Sequence, residues 1–124
     1  MKGPRALVVD DEMGILILLQ TFLQSFGYDV WLAQSGTEAL DIIGSGMRFA
    51  VVISDVQMPG MTGWQLYERA LGIDTDLQDR FIFATGNCSC QEAEPILDAG
   101  KRLLEKPFSL EAVRTAVNAV FNGQ

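Results

Sequence analysis

The stretch "ALVVDDE", Ala6 to Glu12, sets four apolar residues against three consecutive acids. An unbroken apolar run of this kind is what a strand covered on both faces requires. Its abrupt end on Asp10, Asp11 and Glu12 raises a question, because three adjacent carboxylates repel one another. Helices favour acids in their first turn, where the partial positive charge lies, so Asp11 or Glu12 could simply open the next helix. On these seven residues that explanation and a functional one are evenly matched, and the rest of the chain has to decide.

Outward from this stretch, short apolar runs alternate with longer helix-like segments, the pattern of a parallel sheet with crossover helices. "RALVVD" is the first strand. "MGILILLQTFLQSF" follows as a helix ended by Gly27 at the C-cap position. "YDVWLA" is a second strand, with Trp31 at a sheet edge, and "SGTEALDIIGSG" a helix capped by Ser35. "FAVVIS" is the third strand, closed by Asp55, and "VQMPGMTG" is a loop. Trp64 to Leu71 makes a short helix, with Trp64 packed against its neighbours, and "DTDLQD" a solvated polar connection. "RFIFAT" is the fourth strand, followed by the small, polar "GNCSC". Gln91 to Ala99 reads as a helix interrupted by Pro95; proline is tolerated only in a first turn, so this helix starts late or is distorted. "RLLE" is a fifth strand, Pro107 breaks the chain, and "LEAVRTAVNAVF" is the final helix.

Five strands and five helices in strict alternation imply an α/β three-layer sandwich, one domain over residues 1–124. Right-handed crossovers give the flavodoxin-like (βα)5 order 2-1-3-4-5, with ligands at the carboxyl ends of the strands. Within the first helix, Ile15, Leu19, Phe22 and Phe26 fall at helical spacing and are expected to face the sheet. Leu16 and Ile17 then point away from it.

Composition narrows the chemistry. Nearly half of the 124 residues are apolar, which excludes disorder. A formal net charge of −7 argues against a nucleic-acid surface, which needs clustered Lys and Arg. The absence of histidine removes Ser-His-Asp and Cys-His nucleophile systems and the commonest zinc ligand. Cys88 and Cys90 are separated only by Ser89; a disulfide there would close a very tight ring, and two thiols make a poor metal site. Free, reduced thiols are expected. The only apolar run near the N-terminus is too short for a signal peptide or a membrane span, so a soluble cytoplasmic protein is expected, with no direct membrane contact.

The strand ends carry the chemistry. Strand one ends at Asp10 and Asp11, strand three at Asp55, strand four at Thr85, and strand five just before Lys106. Three carboxylates converging on one edge would repel strongly, and Mg²⁺, which prefers hard oxygen ligands, relieves that repulsion. A carboxylate beside Mg²⁺ can accept a phosphoryl group, because the metal neutralises charge on the transferring oxygens. Lys106 adds a second positive charge and Thr85 a hydroxyl. The acids of the opening stretch thus read as part of a site for phosphoryl transfer to an aspartate.

"VVDDE", "ISDVQMPGMTG", "FATG" and "EKPF" occur in an order and spacing that resembles the receiver domain of two-component response regulators, across essentially the whole chain. The resemblance implies that Asp55 is the phosphoacceptor and that Asp11 and Asp55 ligate Mg²⁺ directly. It implies that Asp10 acts through a metal-bound water and that the backbone carbonyl of Gln57 completes the protein ligands. Thr85 becomes the switch hydroxyl, Lys106 the partner of the phosphoryl group, and Pro107 follows a cis peptide bond. Gly86 leaves room for a phosphodonor. The switch and partner surface expected on this basis comprises Leu103, Pro107, Phe108, Ile15, Leu16 and Ile17, and the partner is a histidine kinase or a histidine phosphotransferase.

One departure stands out. Three residues before the lysine many receivers carry an aromatic ring, and here the position is Leu103. The readout is therefore expected in Gly86 to Pro95, where reordering costs little. "FATGNCSC" and "LLEKPF" are similar to receivers attached to hybrid histidine kinases. Rival classes fit less well. A haloacid-dehalogenase-type phosphatase places its two acids one residue apart and needs a cap insertion. A flavodoxin-like nucleotide binder needs a phosphate-cradling loop where "DDEMG" stands. A docking module without phosphorylation would not need the full acid, threonine and lysine set. The chain is not expected to be an enzyme beyond its own phosphorylation and dephosphorylation. Its output is expected through protein contacts, either as a stand-alone regulator or as a piece of a larger kinase.

Overall fold

The computed structural model describes residues 3–87 and 89–122. It contains β1 (Arg5–Val9), α1 (Met13–Ser25), β2 (Asp29–Ala33), α2 (Gly36–Gly44) and β3 (Val51–Asp55). It continues with α3 (Gly63–Leu71), β4 (Phe81–Thr85), α4 (Glu94–Asp98), β5 (Arg102–Glu105) and α5 (Leu110–Asn122). The five strands form one parallel sheet in the order β2-β1-β3-β4-β5, as expected from the alternation. β1, β3 and β4 are the central strands, and from Ala6, Val51 and Phe81 onward all of their residues are buried. That is why these runs are apolar throughout rather than alternating.

Two apolar layers sandwich the sheet. On one face Leu16, Leu19 and Leu23 of α1 and Val113, Val117 and Val120 of α5 pack on Val8, Ile53 and Ile82. On the other, Ala39 and Ile43 of α2, Leu66 and Tyr67 of α3 and Ile96 of α4 pack on Leu7, Val52 and Phe83. Trp64 belongs to this second layer, its ring centroid 4.9 Å from that of Tyr67 and 6.2 Å from that of Phe83. Trp31 sits half-exposed on the edge strand β2.

Helix ends follow the local chemistry. The Ser35 side chain accepts from the Glu38 N–H, and Thr62 and Gln65 form a reciprocal capping box at α3. Gly27 lies just past the C-cap Phe26 at φ 96°, a conformation that only glycine adopts cheaply.

Three expectations need correction. Leu16 does not point away from the sheet: it is fully buried, and only Ile17 of that pair is exposed. "DTDLQD" is not a plain solvated loop, since Thr75–Asp79 form a 3-10 helix with Asp74 as its cap and Leu77 buried beneath it. Arg48 clasps this segment through Asp74 at 3.0 Å and Asp76 at 3.2 Å. The third strand begins at Val51, two residues later than read from "FAVVIS", although Phe49 is already in the core. The helix interrupted by Pro95 does start late. Gln91–Ala93 form a 3-10 turn, and α4 then carries Pro95 in its first turn, where the missing N–H costs nothing. Cys88 lies outside the described residues; Cys90 is a free thiol, half-buried against the second layer. Among the described residues no helix is long and apolar enough to cross a membrane.

Candidate functional site at the carboxyl edge of the sheet

The strand register brings the chemistry together. Val9 pairs with Ser54, Asp55 with Ala84, and Thr85 with Glu105, so the residues that end β1, β3, β4 and β5 lie side by side. The Lys106 N–H donates to the Thr85 carbonyl at 2.8 Å, which extends the last pair beyond the strand. The Lys106–Pro107 peptide bond is cis.

Asp10 and Asp55 are buried and Asp11 is exposed, yet one carboxylate oxygen from each lies within 4.8 Å of the others. The Lys106 Nζ donates to Asp10 Oδ2 at 3.0 Å and lies 3.4 Å from Asp55 Oδ1. Asp10 Oδ1 also accepts the Glu12 N–H at 2.9 Å. No acid side chain caps the N–H groups of α1: its N-cap Glu12 forms no side-chain cap, and no acid stands in its first turn. Helix capping therefore does not explain the three acids.

Burial, and then the neighbouring Asp10 charge, push the Asp55 carboxyl up to about 6, against the opposing pull of Lys106 and of the Gln57 backbone N–H. Burial works against a charged Lys106, but its hydrogen bond to Asp10 and the charges of Asp55 and Asp10 outweigh this and raise its pKa. Three carboxylates against one ammonium leave two negative charges uncompensated when all are ionised. The donor set is all carboxylate oxygen, the chemistry that a hard divalent cation such as Mg²⁺ prefers, so the residues fit that ion.

Thr85 is buried, and its hydroxyl is engaged with its own loop rather than with Asp55. It donates to the Asn87 carbonyl at 3.1 Å and accepts the Asn87 N–H at 3.0 Å. A Cβ at Gly86 would meet no atom within 4 Å, so the approach beside Thr85 is open. Gln57 is exposed at the start of the loop after β3. Leu103 is half-buried in β5 against the second layer, and Phe108 is buried against the first. Ile15 is half-buried in α1.

Two uncharged positions beside Asp55 escape a reading of the charged strand ends. Ser54 is fully buried and its hydroxyl donates to the Asp55 carbonyl. Gly63 donates its N–H to the Val56 carbonyl at 3.0 Å, and a Cβ there would run into the Asp55 carbonyl oxygen. Backbone cannot yield as a flexible side chain can, so Gly63→Ala is expected to lose about 1–3 kcal/mol of stability by overpacking. Urea unfolding measures it, and a loss under about 0.5 kcal/mol would show that the loop absorbs the methyl group.

Residues 6–118 match the response regulator receiver domain family. Sporulation initiation phosphotransferase F of Bacillus subtilis is 32% identical over 117 residues, covering 94% of this chain and 93% of its own. Response regulator MprA of Mycobacterium tuberculosis is 38% identical over 117 residues, 94% of this chain, but this chain spans only 50% of its length. Among solved structures, the Vibrio cholerae chemotaxis protein CheY4 superimposes with a TM-score of 0.83 at 30% identity, over 94% of this chain and 98% of the other. With five strands ordered 2-1-3-4-5 and acid, threonine and lysine side chains at their carboxyl ends, the chain belongs to the receiver domain family of response regulators.

Proposed function

We propose that this domain is the phosphoacceptor of a two-component phosphorelay, and that Asp55 takes a phosphoryl group from a phosphohistidine on a histidine kinase or histidine phosphotransferase. The observation that carries this reading is the convergence of Asp10, Asp11 and Asp55 within 4.8 Å, with the Lys106 ammonium 3.4 Å from Asp55.

An Asp55 carboxylate oxygen attacks phosphorus as the P–N bond breaks. The electron pair passes to the imidazole nitrogen, which takes a proton from water. The Asp11 and Asp55 carboxylates would hold Mg²⁺, with Asp10 beside them and the Gln57 carbonyl as a further oxygen. When bound, the ion supplies charge neutralisation on the transferring oxygens. Lys106, already charged and aimed at Asp55, donates to a phosphoryl oxygen in a charge-assisted hydrogen bond. Thr85 has to give up Asn87 before its hydroxyl can reach the same group. The only chemistry the domain performs is on itself, gaining the phosphoryl group and losing it to water.

Met13, Ile17 and Leu18 leave apolar side chains exposed on α1, the helix that follows the acids. This face suits the helical bundle that would carry the histidine, and output follows through protein contacts in the cytoplasm. Incubation with Mg²⁺ and acetyl phosphate is expected to add one hydroxylamine-sensitive phosphoryl group per chain. An unchanged intact mass, under conditions where Mg²⁺ binding is detected by titration, overturns the proposal.

A further inference from the structure

Gln57 and Glu92 face each other across the site. The Gln57 Nε2 donates to Glu92 Oε1 at 3.3 Å, joining the loop after β3 to the 3-10 turn that precedes α4. The two residues are 35 apart in sequence, and among the described residues no other side-chain hydrogen bond joins these two segments. Gln57 is also two residues past Asp55, in the loop that leaves β3. One residue therefore stands in the loop next to the acceptor and reaches the turn before α4 with its side chain.

The segment at the far end is easily moved. The turn is three residues long and α4 only five, with Pro95 in its first turn. Ala93 and Ile96 are its buried apolar anchors. Asn87 is held to Thr85 at the end of β4, and Glu92 to Gln57 in the loop after β3.

We infer that Glu92 is a coupling residue: by accepting from Gln57 it ties the 3-10 turn and α4 to the phosphoacceptor loop, so that the state of Asp55 is read as the order of residues 91–98. Glu92 touches no reacting atom and acts through Gln57. By linkage the bridge works in both directions, since whatever holds the turn also biases the loop. The assignment of Asp55 as acceptor comes from the proposed function, on which the phosphorylated half of this inference rests.

Hydrogen exchange of a peptide covering residues 91–98 tests it, first without Mg²⁺ or donor and then with Mg²⁺ and acetyl phosphate. An exposed hydrogen bond of this kind is worth roughly a two- to threefold change in opening, so Glu92→Ala is expected to speed exchange by about that factor in the resting protein. Glu92→Gln keeps an acceptor oxygen and is expected to stay near wild type. Gln57→Ala combined with Glu92→Ala is expected to go no further than Glu92→Ala alone, because both remove one interaction. On phosphorylation the wild-type peptide should change, and the Glu92→Ala peptide should change less at equal occupancy of Asp55. Additive effects of the two substitutions, or a phosphorylation response in Glu92→Ala equal to wild type, overturn the inference. A wild type that takes up no phosphoryl group overturns the proposed function instead, and the resting comparison then decides the bridge by itself.

Discussion

Asp55→Asn is expected to abolish phosphoryl uptake from acetyl phosphate and, in the same protein, to stabilise the metal-free domain at pH 7 by about 1–2 kcal/mol. The second effect follows from burial. The carboxyl titrates near 6 in the folded chain against 3.8 for the free side chain, so the folded state disfavours the ionised form. Each pKa unit is worth about 1.4 kcal/mol, which sets an upper limit near 3 kcal/mol. Asparagine removes that cost but also removes one of the two carboxylates around Lys106, so the net gain is smaller. Between pH 3.8 and about 6 the folded state holds a proton that the unfolded chain has released. Stability of the wild type therefore falls as pH rises through this window, and the advantage of Asp55→Asn should vanish below about pH 4 and be complete above about pH 6. Mg²⁺ should narrow or reverse the difference at pH 7, because it binds the folded wild type more tightly than the variant. Denaturant unfolding in chelator, across pH 4 to 7, measures both parts. A variant less stable than wild type at pH 7 would mean that the Lys106 pair outweighs desolvation, and that Asp55 is not held in an unfavourable charged state.

That tension was legible in the sequence only as adjacency. Three acids, a threonine and a lysine at four strand ends fall on one edge because strand punctuation is strong: "ALVV" and "FIFA" are uninterrupted apolar runs, and both lie in strands as expected. The pairing of Lys106 with both Asp10 and Asp55 is not legible in the sequence, since it depends on how far the lysine stem reaches across β3 and β4. The engagement of the Thr85 hydroxyl with Asn87 was invisible because it belongs to a turn whose geometry small polar residues do not fix. Ser54 and Gly63 were missed for another reason. Their roles lie in backbone proximity to Asp55, and neither a buried serine nor a loop glycine carries a charge pattern to give it away. The 3-10 helix at Thr75–Asp79 was hidden by its acids, which mark solvent exposure well but say nothing of the single Leu77 that anchors the turn.

Leu16, fully buried where its spacing points away from the sheet, supplies the other large expected effect. Leu16→Ala should destabilise the domain by about 3 kcal/mol, whereas Ile17→Ala should fall within about 0.5 kcal/mol of wild type. Apolar residues in "MGILILLQTFLQS" occupy almost the whole circumference of the helix, so spacing alone allows more than one stripe to face the sheet. The fully buried positions are Leu16, Leu19 and Leu23, and Ile15, Phe22 and Phe26 flank them half-buried on the same layer. Ile15, Leu19, Phe22 and Phe26 thus all lie on the expected side. Leu16 joins them because the buried stripe is wider than the line from Ile15 to Phe26. A truncation at Leu16 leaves a void against Val8 and Ile53, on central strands that cannot collapse around it without disturbing the sheet. Ile17 is about half exposed, and shortening it removes little buried area. Urea midpoints at constant m-value give both numbers, and comparable losses at the two positions would move the buried stripe back toward Ile17. The same pair separates packing from docking. Ile17→Ser, stable by this argument, is expected to slow phosphoryl transfer from a phosphohistidine-bearing helical bundle by roughly five- to tenfold, the loss typical of one apolar contact at an interface. Labelling by acetyl phosphate, which needs no helix to dock, should proceed at the wild-type rate. If both donors are slowed alike, the exposed face of α1 serves the fold and the partner docks elsewhere.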